Sequence, residues 1–215
     1  MNQYYSERAK EYENVYYRED PIRQQEQSAI QTKMKQLFNS KDTLEIACGT
    51  GYWSQFVYQE VQHLTAMDAS LEVLDMAKAK NLPANKVTFL QGDAFQLDTI
   101  PGQFEAAYAN FWFSHIPKDR IDDFLQQFHL KLQIGSPVFM ADNIFIPSIG
   151  GTLMEKEDDE NTYKRRTLQD GSEYEVIKNY YNADELHDLF ERYAYDIDIH
   201  FGQCFWWISY KVKSH

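Results

Sequence analysis

The chain has 215 residues, 43% hydrophobic and 15% aromatic, and a formal net charge of −12. The length fits one domain with its own core, and the composition excludes a disordered chain. The acidic balance argues against non-specific nucleic-acid binding, which needs a basic face for phosphates, and no apolar stretch is long enough to span a bilayer. The N-terminus, Met1-Asn2-Gln3-Tyr4-Tyr5, has no signal-peptide pattern, and the two cysteines, Cys48 and Cys204, are too far apart for a metal-ligand pair. A cytoplasmic protein without a metal is expected, and the sequence is silent on oligomeric state.

In chain order, residues 3–17 interleave tyrosines with charges, and Ala9, Tyr12 and Tyr16 share a helical face. This segment reads either as an amphipathic helix packed on the domain or, with the rest of residues 1–40, as a helical lid. Asp20 and Pro21 start a helix whose apolar stripe is Ile30, Met34, Leu37 and Phe38. The apolar run Thr43 to Ala47 predicts a buried strand, followed by Gly49-Thr50-Gly51 and a helix over 52–59. Gly49 can take angles a Cβ forbids, and Gly51 lets a ligand approach the main chain. The helix N-terminus offers unpaired N–H groups there.

Further strands are expected at His63 to Asp68, Val87 to Gln91, Phe104 to Ala109 and Pro137 to Asp142. The first ends in Asp68 and the second in Gly92-Asp93-Ala94; the fourth ends in Asp142-Asn143. In a doubly wound sheet these tips form the ligand crevice. Asp68 can accept both hydroxyls of a ribose or cap the helix at 70–80, a task Ser70 can also perform. Residues 117–132 read as a helix. Residues 148–181 break the α/β rhythm with Gly150-Gly151, an acidic run at 155–160, the triplet Lys164-Arg165-Arg166 and a hairpin toward Tyr181. The triplet reads as a solvated face balancing the acids, or as a cationic cover over a substrate. Asn182 caps a helix over 183–192, and strands at 195–201 and 204–212 close the chain.

The central stretch distinguishes two ligand classes. A dinucleotide fingerprint needs a third glycine where Ser54 stands. Instead, Glu45 lies four positions before Gly49. Acid, three residues, Gly-x-Gly resembles class I S-adenosylmethionine-dependent methyltransferases, as do Asp68 and Gly92-Asp93-Ala94 at the next strand tips. The resemblance implies a Rossmann-like α/β fold: a doubly wound, seven-stranded sheet, mostly parallel with an antiparallel last strand, in a three-layer sandwich. It implies a single domain over 1–215, with residues 148–181 as a substrate cover, and S-adenosylmethionine as cofactor. By the same resemblance, Tyr5, Glu45, Ala47, Cys48, Gly49, Gly51, Trp53, Asp68, Ala69, Asp93, Ala94 and Asn110 would hold it. The opening Tyr5 to Tyr12 is similar to the aromatic-x-x-x-Ala-x-x-Tyr start of small-molecule enzymes, where it folds over the cofactor.

The loop Asn110-Phe111-Trp112-Phe113-Ser114-His115 would face the methyl group. Amino-group enzymes often carry Asn-Pro-Pro-aromatic here, and this chain has Phe-Trp in place of Pro-Pro. His115 is the candidate base, needed only if the acceptor must lose a proton early, and packing is its other reading. Trp112, Asp142 and Arg166 are the candidate acceptor contacts, with Arg166 suited to a carboxylate. The expected function is methyl transfer to a small molecule; the alternatives are a cofactor sensor without transfer activity, or a protein or RNA methyltransferase.

Overall fold

Apolar strands separated by crossovers give parallel pairing, and residues 42–143 supply five such strands in four parallel pairs. The computed structural model describes residues 13–214 apart from 148, 150, 169 and 170. The five parallel strands are β1 (Asp42–Ile46), β2 (His63–Asp68), β3 (Val87–Gln91), β4 (Ala106–Asn110) and β5 (Pro137–Asn143). A C-terminal hairpin, β9 (Ala194–Phe201) and β10 (Phe205–Val212), completes a seven-stranded sheet in the order β3-β2-β1-β4-β5-β10-β9. β10 runs antiparallel to both neighbours. The order reverses between β1 and β4, which opens a crevice beyond the carboxyl ends of these strands.

Helices cover both faces. On one side α1 (Pro21–Phe38), the short α2 (Ser54–Val57) and α3 (Leu71–Ala79) bury Ile30, Met34, Phe38, Val57 and Leu74. On the other, α4 (Ile121–His129) and α5 (Ala183–Phe190) bury Phe124, Leu125, Phe128, Leu186 and Phe190. The helix starts follow their predicted caps. Asp20 accepts from the N–H groups of Ile22 and Arg23, Ser70 caps α3, and Asn182 forms a reciprocal capping box with Glu185. The helix predicted over 117–132 begins as a 3-10 turn, Lys118–Arg120, and is regular only from Ile121 to His129. No helix among the described residues is long and apolar enough to cross a membrane.

The insertion is larger than the predicted hairpin. β6 (Leu153–Lys156), β7 (Asp159–Thr167) and β8 (Glu173–Ile177) form a separate antiparallel sheet. The acidic run is the β6–β7 turn and its flanks. Alternation along β7 corrects the reading of the basic triplet as one solvated face: Lys164 is buried, Arg165 is exposed and Arg166 is half-buried.

Candidate active site

The glycine turn needs its glycines for two different reasons. Gly49 has φ +55° and lines a cavity at the strand tips. Gly51 has φ +74°, and an added Cβ would stand 3.1 Å from the Ala77 Cβ on α3. Gly51 therefore seats the turn against α3 and does not line the cavity, which corrects its expected role as a point of ligand approach.

That first cavity, about 230 Å³, is lined by residues from the tips of β1 to β4. Asp68 is one of them. Its Oδ2 accepts from the Gly49 N–H at 2.9 Å and its Oδ1 from the Ser70 N–H at 3.0 Å. Burial raises its pKa above the ordinary aspartate range, against the pull of those backbone donors. Asp68 thus fixes the turn, and each oxygen keeps acceptor capacity. Asp93 accepts from the Phe95 N–H at 2.9 Å at the third tip. Met67, Val73, Ala94, Phe95 and Trp112 supply the apolar walls, with the Phe95 and Trp112 rings 5.8 Å apart. An apolar slot with one carboxylate at each of two strand ends fits an adenosyl group: acceptors for hydroxyls and an exocyclic amine, flat surfaces for a base.

Ala47, Gly49, Asp68, Ala69, Asp93 and Ala94 line this cavity, and the remaining expected cofactor residues fall elsewhere. Glu45 is buried below the turn, where its carboxylate accepts from Ser54 Oγ at 2.5 Å. Burial raises its pKa to about 8. Cys48 and Trp53 are core residues, and Trp53 stacks on Phe111 at 5.6 Å. Asn110 is buried with its amide nitrogen 3.1 Å from Met34 Sδ. Glu45, Cys48, Trp53 and Asn110 therefore shape the floor from beneath. Tyr5 lies outside the described residues. Trp112, expected at the acceptor, lines the first cavity instead.

A second cavity adjoins the first, and both share Phe111 and His115 as lining residues. Phe111 holds a left-handed φ of +57°, an uncommon conformation for a bulky residue. Among the described residues, four cations line the second cavity: Arg18 before α1, Arg23 on α1, Arg166 on β7 and Lys178 just after β8. No carboxylate is among those lining residues. Arg23 lies 4.6 Å above the Phe205 ring with Nη2 3.4 Å from Asn143 Oδ1, and its Nε is buried without an acceptor. Arg166 and Lys178 belong to the insertion that the sequence offered as a cationic cover, whereas Arg18 and Arg23 carry no motif; β-alternation in the insertion was the usable signal for Arg166.

Lys178 and Asp142 form a buried ion pair at 2.7 Å. Lys178 also donates to Ser114 Oγ at 2.6 Å, and Asp142 accepts from the Ser114 N–H at 3.0 Å. Burial would push the Asp142 carboxyl up, but the Lys178 charge and the hydrogen bonds outweigh it and hold the pKa at about 2. Asp142, expected to touch the acceptor, is instead the anchor that positions Lys178. His115 Nδ1 lies 2.6 Å from the Ile177 carbonyl oxygen, so Nδ1 carries the hydrogen and donates. Burial, reinforced by Lys178, lowers the His115 pKa to about 3. A second network, Asn179 with Asn161, Ile116 and Thr162, fastens the insertion to the same loop.

With this geometry in place, comparison with known proteins identifies the scaffold. Residues 43–135 match the model of a methyltransferase domain. This stretch is a methyltransferase domain, on a fold shared with S-adenosylmethionine-dependent methyltransferases. An uncharacterized methyltransferase of Oceanobacillus iheyensis is 24% identical over 177 residues, covering 79% of this chain and 76% of that one. Among solved structures, the complex of DhpI with SAH superimposes with a TM-score of 0.78 at 24% identity, covering 99% of this chain and 95% of that one. The complex of DhpI with SAM and HEP gives 0.74 at 25% identity, with 97% and 94% covered. A methyltransferase of Clostridium acetobutylicum gives 0.67 at 15% identity, with 98% and 99% covered. The cavity around Asp68 opens at the strand tips of this shared fold, and the cationic cavity is its neighbour across Phe111 and His115.

Proposed function

We propose that this methyltransferase transfers a methyl group from S-adenosylmethionine to a small anionic molecule held in the cationic cavity. One observation carries the reading: in a chain of net charge −12, three arginines, and no carboxylate among the described residues, line the cavity that meets the donor pocket, while its fourth cation, Lys178, is already paired with Asp142. Clustering like charges costs free energy unless an anion repays it. The complex of DhpI with both SAM and a further molecule, HEP, supports a small acceptor for this scaffold.

In this reading, Asp68 and Asp93 hold the ribose and adenine ends of the donor, and Phe95 and Trp112 exclude water from it. When bound, the donor supplies an electrophilic methyl carbon on a positively charged sulfur. Arg18, Arg23 and Arg166 bind and orient the acceptor, and placing two reactants in line supplies much of the acceleration such a displacement needs. Lys178, held by Asp142 and Ser114, fixes the cavity wall beside His115. The free, buried thiols of Cys48 and Cys204 support a reducing, cytoplasmic setting.

Titration calorimetry tests the donor. S-adenosylmethionine or S-adenosylhomocysteine should bind and NAD should not, and Asp68→Ala should abolish most of that binding. Binding of NAD alone would overturn the reading.

A further inference from the structure

We propose that Arg120, which lines neither cavity, is a positioning residue for the methyl donor: it clamps the Phe95 ring from outside, and the insertion holds the clamp in place. The inference rests on the proposed function, which takes the cavity around Asp68 as the donor pocket. It adds a second task for the insertion, which then sets donor affinity from a distance.

Phe95 is a half-buried ring in the wall of that pocket. The Arg120 guanidinium lies over it, 4.5 Å from the ring centre. Trp112 and Phe124 meet the same ring at 5.8 and 6.4 Å, their planes turned by 55° and 72°. The cation thus packs on a face of a ring that also lines the cavity. Helix stability gives no reason for an arginine here. Position 120 is the N-cap of α4, and its side chain makes no capping bond. N-caps favour Ser, Thr, Asp or Asn, and the positive end of a helix disfavours a cation. The Arg120 pair with Asp123, at 3.3 Å, joins two largely exposed side chains, and such pairs contribute little to stability. A planar guanidinium does suit an aromatic face, better than an ammonium does.

The footing of the clamp is in the insertion. Asn179 Nδ2 donates to the Ile116 carbonyl at 3.0 Å, and Asn161 Oδ1 accepts from the Lys118 N–H at 2.9 Å. Asn179 Nδ2 also donates to Asn161 Oδ1 at 3.0 Å, so the two anchors act together. Arg120 follows in the same 3-10 turn, Lys118–Arg120, and its N–H closes that turn on the Pro117 carbonyl at 2.9 Å. Residues 116–118 are therefore fastened to β7 and to the segment after β8, and the turn carries that position to Arg120 and on to Phe95. Asn161 lines neither cavity, so its effect on the donor is indirect.

Calorimetric titration of the whole chain with S-adenosylhomocysteine tests the proposal, with urea midpoints measured beside it. Arg120→Asn should weaken binding about two- to fivefold, the range of a partly exposed cation–π contact, while the urea midpoint stays at or above the wild-type value. Arg120→Lys, which keeps the cation and loses the planar face, should fall between wild type and Arg120→Asn. In a Phe95→Leu background, Arg120→Asn should have no further effect, which a general loss of stability would not produce. Asn161→Ala should weaken binding about twofold or more on its own, and not at all when combined with Arg120→Asn. Unchanged affinity in Arg120→Asn, a loss that follows a lowered midpoint, or the same loss in the Phe95→Leu background would overturn the clamp. Unchanged affinity in Asn161→Ala, or losses for Asn161 and Arg120 that simply multiply, would overturn the part assigned to the insertion. Failure of S-adenosylhomocysteine to bind the wild type would strike the proposed function instead.

Discussion

Lys178 Nζ lies 2.7 Å from Asp142 Oδ1, and both side chains are almost fully withdrawn from solvent. The pair ties the insertion after β8 to the tip of β5, and Ser114 completes it from the loop after β4. A buried ion pair is weak evidence of net stability, because two charges have lost their water. Removing one partner is costly, because it strands the other. Lys178→Met and Asp142→Asn should each destabilise the fold by about 3–5 kcal/mol, read from denaturant midpoints. The double variant should be clearly more stable than the two losses summed. Strict additivity would mean that the pair does not act as a unit.

The titrating groups predict a stability profile with two falling sides. Asp142, held at about 2, contributes stability above the ordinary aspartate range that is lost as pH falls toward 2. His115, lowered to about 3 from 6.5, is neutral in the fold while the unfolded chain takes up a proton, so stability also falls as pH drops from 6.5 to 3. Glu45, raised from 4.5 to about 8, has the opposite sign: the fold keeps a proton that the unfolded chain has released, and stability falls as pH rises between those values. The His115 and Glu45 slopes oppose each other between 4.5 and 6.5, where stability should be greatest. Urea midpoints should be lower at pH 8 than at pH 5.5 in the wild type, and the order should reverse in Glu45→Gln, where the His115 slope alone remains. An unchanged difference would remove Glu45 from the account.

Asp68 has a structural and a binding task, and two substitutions separate them. Its two oxygens hold the Gly49 and Ser70 N–H groups. Asp68→Ala loses both tasks. Asp68→Asn keeps one oxygen acceptor for the turn and loses the charge. S-adenosylhomocysteine binding should weaken by about 1.5–3 kcal/mol in Asp68→Ala, the scale of charge-assisted hydrogen bonds, and by less in Asp68→Asn. Wild-type affinity in Asp68→Ala would leave Asp68 as a turn-fixing residue alone.

The fold and the strand-tip residues proposed to hold the donor were legible because their signals are local. Asp68, Gly49 and Asp93 stand at the ends of apolar runs, and the parallel topology gathers such ends at one edge. Glu45 shows the limit of the same logic. Its place on β1 says that it is near the turn, but only packing decides that it faces Ser54 below it. The cationic cavity was mostly hidden, because Arg23 and Arg166 are far apart in the chain and meet only when α1 and the insertion converge. Lys164 and Arg166 were recoverable by treating residues 159–167 as a strand, since period 2 turns both inward and Arg165 out. The identity of Asp142 as the Lys178 partner is a tertiary fact with no spacing rule behind it.

The segment before α1 connects the two cavities, and Glu13 is its fastening. Glu13 Oε1 accepts from Thr50 Oγ1 at 2.7 Å, inside the glycine turn, and pairs with Lys80 Nζ at 2.6 Å. Three residues later Tyr16 stacks on Tyr52 with ring centres 3.8 Å apart and planes 6° from parallel. Val15, Tyr16 and Arg18 then line the cationic cavity. One face of the cationic cavity is therefore fixed through residues that belong to the glycine turn. Glu13→Ala should release this wall, and global stability should barely change, since a partly exposed pair contributes about 0.2–1 kcal/mol. Binding of a small anion, 4-hydroxybenzoate, to protein saturated with S-adenosylhomocysteine should weaken about tenfold, while affinity for S-adenosylhomocysteine should stay within about threefold. Glu13→Gln, which keeps an acceptor for Thr50 but loses the charge facing Lys80, should lie between wild type and Glu13→Ala. Parallel calorimetric titrations of the three proteins measure both constants. Equal weakening of the two ligands would show that Glu13 supports the turn as a whole, and unchanged anion affinity would show that the wall stands on Tyr16 and Tyr52 alone.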